Sequence, residues 1–199
     1  MATFRQRFDA QRLDDPVAAV AAELERNGMA DRIGKGQRIA VTGGSRGIAH
    51  IDVITKAVVD AVRHAGGVPF LMPAMGSHGG ATAAGQKEVL ASYGLSEATL
   101  GCPVEATMDT DEIGQLEDGT PILVNRLALE ADGVIVINRV KPHTSFRGVH
   151  ESGVVKMMTI GLGRTVPFDS GAGESHPQAS PGDRRCGHRG ECVRRNDDY

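Results

Sequence analysis

The chain has 199 residues, 40% of them hydrophobic and 24% charged, which is enough for one domain with a core of its own. A formal net charge of −3 gives no electrostatic case for nucleic acid, and no apolar run reaches the ~18 residues that a membrane span needs. The charged opening MATFRQRFDAQRLDD lacks the apolar centre of a secretory signal, and three unevenly spread cysteines make no disulfide framework, so a cytoplasmic address is expected.

Asp14, Asp15 and Pro16 mark a helix start, and PVAAVAAELERNGM then sets Val17, Val20, Ala21 and Leu24 on one face, with Gly28 as the stop. A strand is expected over 38–42, followed by a glycine turn and a helix through Val53, Ala57, Val58, Ala61 and Val62 that ends at Gly66 and Gly67. PFLMP (69–73) reads as a short buried strand, and a helix over about 82–93 follows the SHGG turn. Strand–turn–helix alternation with continuously apolar strands implies a parallel sheet covered on both faces. EIGQLEDGTPILVN carries a hairpin signal at Glu117, Asp118 and Gly119, and a short helix is expected over 126–131. GVIVINRV (133–140) reads as the most strongly buried strand, and KPHTSFRGVHESGVVKMMTIGLG follows it as a polar loop feeding a short apolar segment. Loops at the carboxyl ends of parallel strands are where α/β proteins place their sites.

The words TGGSRGI (42–48) resemble the opening of short-chain dehydrogenases, in which a turn after the first strand binds a pyrophosphate. The chemistry does not follow. Ala49 stands where that family has glycine, the motif lies some forty residues in, and the catalytic Tyr-x-x-x-Lys is missing, because Tyr93 is followed four residues on by Glu97. NAD is therefore not expected. What survives is an anion cradle of successive backbone N–H groups at Gly43, Gly44, Ser45 and Gly47, with Arg46 as a charged donor. The plainer reading is a tight strand–helix turn with a surface arginine.

His78, in MGSHGG, directly follows one expected strand, and His143, in KPHTSF, follows another. A loop histidine is ordinarily just solvated, but two at the same end of one sheet suit proton transfer on opposite faces of a carbon. Lys156, in ESGVVKMM, is a charge inside an apolar run; it either snorkels to the surface or is desolvated as a nucleophile or tether. CGHRGEC in the tail lacks the spacing of a zinc framework, and no metal ligand is assigned.

Taken together, GSRGI, MGSHGGAT, DGTPILVNRLALEADGVIVINRVKPH and FRGVHESGVVKMMTIGLG resemble the N-terminal part of the nickel-dependent lactate racemase family over roughly residues 10–164. The likeness is strongest to the branch with KPHT-FRG and ESG-KM. It implies a Rossmann-like α/β domain with a mostly parallel sheet and helices on both faces. It further implies a nickel-pincer nucleotide as cofactor, and a 2-hydroxy acid inverted by hydride transfer to that cofactor and back. By the same resemblance His78 and His143 are the acid–base pair, Lys156 is the attachment residue, and Arg46 with Gly43, Gly44, Ser45 and Gly47 holds the cofactor phosphate. Gly43 stands where the lactate enzymes have aspartate, and Thr165 falls where their nickel-ligating histidine is expected.

From Thr165 onward the chain has no Leu, Ile, Met or Lys, so 165–199 is expected to be disordered. The abrupt change looks like a frameshift or truncated gene that has lost the family's C-terminal domain, which implies a product inactive alone. The expected partner is a small 2-hydroxy acid, with neither nucleic acid nor membrane. The alternative function is a non-catalytic α/β domain that binds a phosphate or nucleotide.

Overall fold

The computed structural model of the protein describes residues 13–141, 152–164, 185–187 and 191–193. Helix α1 (Pro16–Arg26) begins for the reason its sequence gives. Asp15 Oδ1 accepts from the N–H groups of Val17 and Ala18, each at 3.0 Å, and Pro16 occupies a first-turn position whose N–H would have no partner. It ends in a Schellman arrangement: Gly28, at φ 62°, donates to the Glu25 carbonyl and Met29 to that of Leu24. Helices α2 (Ile51–His64) and α3 (Ala83–Ser92) stop the same way, on Gly66 and Gly94.

Strand β1 (Arg38–Gly43) is central to a three-stranded parallel sheet. It pairs with β2 (Val68–Pro73) from Arg38↔Val68 to Gly43↔Pro73, and on its other side with β5 (Gly133–Ile135) from Ile39↔Gly133 to Val41↔Ile135. Alternate residues of β1 and β2 feed two separate apolar clusters. Val41 and Leu71 pack with Val58 and Val59 of α2, Leu90 of α3 and Leu100 of α4 (Glu97–Leu100). Ala40, Phe70 and Met72 point the other way, onto Ala128 of α5 (Arg126–Glu130) and Leu162. The fold is thus α/β, a parallel sheet covered on both faces, as the apolar strands imply. Phe70, Leu71 and Met72 are each closed to water, and burying such side chains contributes about 1.5–3 kcal/mol apiece.

The hairpin is also present. Strand β3 (Thr110–Gln115) runs antiparallel to β4 (Pro121–Asn125), with a register shift between Glu112 and Gly114. At the turn, Asp118 Oδ1 accepts from the Thr120 N–H at 2.9 Å. After the undescribed 142–151 segment, α6 (Val154–Lys156) runs into a π-helical turn, Met157–Leu162, and β6 (Gly163–Arg164) then pairs antiparallel with β4.

One strand differs from expectation. The stretch 133–140 is not a long buried strand: β5 spans three residues, and Val134 is 39% exposed. The cause is local. Beyond Ile135 the ladder ends, because the Ile137 N–H donates to the Thr42 hydroxyl at 3.1 Å instead of to a strand carbonyl. Within the described sheet β5 is also an edge, so one flank has no neighbour to cover it.

Of the expected disordered tail, 165–199, only β7 (Arg185–Gly187) and β8 (Glu191–Val193), an antiparallel pair, fall within the described residues. No helix among the described residues is long and apolar enough to cross a membrane.

Candidate functional site

Because β1, β2 and β5 are parallel, the segments leaving them emerge at one end of the sheet. After β1 comes the glycine turn. Gly43 sits where only glycine fits easily, since a Cβ there would lie 2.5 Å from Cδ2 of the fully buried Leu90. Among the described residues no acceptor takes the backbone N–H groups of Ser45, Arg46 or Gly47. Three consecutive N–H groups in this turn are therefore left without a described acceptor. The turn is braced from α3: the Tyr93 hydroxyl donates to the Ser45 carbonyl at 3.1 Å.

After β2 comes the His78 loop, whose backbone is left-handed through Gly79, Gly80 and Ala81, at φ 67°, 66° and 53°. Two features of α3 hold this unusual path. Gly85 lets the loop lie against the helix, because a Cβ on it would be 2.0 Å from the Gly79 oxygen. Gln86, 2% exposed, donates from Nε2 to the carbonyls of Gly76 at 2.8 Å and His78 at 3.3 Å. The His78 ring reaches back across to the glycine turn, where Nδ1 hydrogen-bonds the Ser45 hydroxyl. His78 is exposed, and no described residue engages its Nε2.

The third wall is α6 with its π-helical turn. The Gly76 N–H donates to the Gly161 carbonyl at 3.3 Å, and a Cβ on Gly44 would lie 3.7 Å from Met157 Cε, so this segment sits against the ends of both β1 and β2. Lys156, immediately before the π turn, is half-buried. Burial pushes its amine below the ordinary lysine range, and the neighbouring cations Lys141 and Arg46 push it in the same direction. The Lys141 N–H donates to the Ser152 hydroxyl at 2.9 Å, which ties the exit from β5 to the entry of α6. No described carboxylate pairs with Arg46, Lys141 or Lys156.

The structure therefore places Gly43, Gly44, Ser45, Arg46 and Gly47 in one turn, joins Ser45 to His78, and brings Lys156 within electrostatic reach of Arg46. His143 lies outside the described residues. Sequence reasoning missed Tyr93, Gln86 and Lys141. Gln86 had a readable signal: it shares a helical stripe with Leu90 and Tyr93, and a polar side chain on a buried stripe needs partners. Among the described residues no group of three or more His, Cys, Asp or Glu side chains gathers to hold a metal ion.

A glycine turn with free N–H groups, an exposed histidine and a half-buried lysine thus gather at the carboxyl end of the parallel sheet, where open α/β sheets place their sites. Comparison with known sequences makes this specific. Residues 11–165 match the family described as lactate racemase N-terminal domain, and the chain belongs to that family. No curated protein matches the chain.

Proposed function

We propose that this domain is the cofactor-bearing part of an isomerase that inverts a 2-hydroxy acid with a nickel-pincer nucleotide. The observation that carries the reading is Lys156: a half-buried amine held toward its neutral form, beside Arg46 and Lys141 and next to a turn with three free N–H groups. Only a neutral amine is nucleophilic, so this environment fits an attachment residue. The cations and the turn fit a phosphate. The described residues thus suit the organic, phosphate-bearing part of the cofactor, whereas they gather no ligand cluster for its metal.

Such a group supplies, when bound, a reversible hydride acceptor. The chain's own residues do the rest. Lys156 would anchor it, and Arg46, Lys141 and the N–H groups of Ser45, Arg46 and Gly47 would hold its phosphate. His78 would take or return the substrate hydroxyl proton at Nε2, with His143 its counterpart on the other face.

The test is covalent labelling. The chain is incubated with the organic part of that cofactor, a thiolated pyridinium mononucleotide, and intact mass and peptide mapping locate any adduct. An adduct on Lys156, absent in Lys156→Arg, is expected. Saturable nucleotide binding with no adduct would instead favour a non-catalytic phosphate-binding domain, the reading that the free N–H groups alone support.

A further inference from the structure

We infer that Ser45 is a positioning residue for His78, its hydroxyl fixing which nitrogen of the ring carries the proton. The inference rests on the acid–base role proposed for His78, but its geometry does not. From sequence, Ser45 has only a backbone N–H role in the anion cradle, and its side chain is left unassigned. Its Oγ is instead engaged by His78 Nδ1, across 33 positions of sequence, while its backbone N–H stays free for the cradle and its carbonyl is held by Tyr93.

The direction of the hydrogen bond follows from what an acid–base group must do. A ring that alternates between neutral and cationic forms at Nε2 needs an Nδ1 partner that suits both. When the ring is cationic, both nitrogens donate, so Ser45 Oγ must accept from Nδ1–H. If the same arrangement holds in the neutral ring, the lone pair is left on Nε2, the nitrogen that no described residue engages. A hydroxyl donating to Nδ1 would put the proton on Nε2 instead, and every protonation would then require the bond to reverse.

The ring is also fixed from behind. Gln86 holds the carbonyl of His78 and that of Gly76, and the left-handed run through Ala81 presses the loop onto Gly85. Ring and backbone are thus anchored to different elements, the glycine turn and α3.

The experiment is long-range 1H–15N NMR of the ring nitrogens in the labelled chain, recorded at the alkaline end of a pH series, where the ring signals no longer change with pH. It needs no cofactor and no substrate, so its failure is distinct from a failure of the Lys156 labelling. In the wild-type chain His78 is expected to show a protonated Nδ1 and an unprotonated Nε2. Ser45→Ala should shift the ring toward the mixture of a free imidazole, and Ser45→Thr, which keeps the hydroxyl, should restore the wild-type pattern. A wild-type ring protonated on Nε2 would overturn the inference, and so would identical ring signals in wild type and Ser45→Ala. The wild-type spectrum decides the matter even if Ser45→Ala does not fold.

Discussion

Replacing Gln86 with leucine is the sharpest probe of what holds the His78 loop. Leucine keeps nearly the same volume at a site that is 2% exposed, so no large cavity opens. What goes is the amide donor to the Gly76 carbonyl at 2.8 Å and to the His78 carbonyl at 3.3 Å. An intramolecular hydrogen bond contributes a net of about 0.5–1.5 kcal/mol, which puts the pair at roughly 1–3 kcal/mol. The longer bond belongs at the low end, since His78 lies in an exposed loop where water can substitute. Leucine also gains a little by apolar burial, so a loss of about 1–2 kcal/mol is expected. At ~2–4 °C per kcal/mol for a chain of this size, the midpoint should fall by roughly 2–8 °C. Urea unfolding followed by circular dichroism measures the global loss, and amide hydrogen exchange should show the loop around residues 76–81 opening first. A Gln86→Leu chain as stable as wild type to within about 0.5 kcal/mol, with loop exchange unchanged, would show that the amide does not hold the loop. Gln86→Glu adds a sign check. A carboxylate set against two carbonyl oxygens has its folded pKa raised above the unfolded ~4.3, so that variant should be at its most stable relative to wild type in acid and lose stability as pH rises through the folded pKa.

Further outcomes follow from the same geometry. Gly80→Ala should cost about 1 kcal/mol in urea melts from backbone conformation alone, since φ is 66° and nothing lies within 4 Å of the added methyl. Gly85→Ala should cost more, about 2–3 kcal/mol, because its methyl would meet the Gly79 oxygen at 2.0 Å; equal losses in the two variants would refute the close contact. Asp15→Ala should cost about 1 kcal/mol by removing the α1 cap, with the loss seen as fraying of that helix by hydrogen exchange. The Lys156 amine should titrate below the ordinary lysine range by NMR, and Arg46→Ala should move it part of the way back up. Between its folded and its unfolded pKa the unfolded chain holds a proton that the folded chain has lost, so stability should rise with pH across that interval and the rise should flatten in Lys156→Met.

Much of the fold was legible because its determinants are local. Asp15 and Pro16 announce α1, glycines at 28 and 66 end two helices, and Asp118 with Gly119 sets the hairpin turn; each acts within a few residues of itself. The course of the chain after β5 was not legible, for a matching reason. Where that strand stops depends on the Thr42 hydroxyl, 95 positions away, which takes the Ile137 N–H that a longer ladder would have used. An apolar run can say that a segment prefers burial, but not which neighbour will be present to bury it.

The candidate site divides along the same line. The glycine turn, His78 and Lys156 stood out as residue types in unusual settings. Which groups they act on is a product of three loops that meet only after the sheet has formed. Lys141 shows this best, because in the sequence it is an ordinary lysine before a proline. In the fold it adds, with Arg46, to the burial that lowers the Lys156 amine, and no described carboxylate pairs with any of the three cations. Like charges brought together without a counter-ion cost stability, and that cost is removed when an anion enters among them. The same arrangement lowers the lysine amine toward its neutral form and leaves the cluster short of a counter-ion. A phosphate beside the amine would favour its charged form, against the burial that lowers it. A nucleotide attached at Lys156, as proposed, would do best with its phosphate nearer Arg46 and the free N–H groups of the glycine turn than the amine itself.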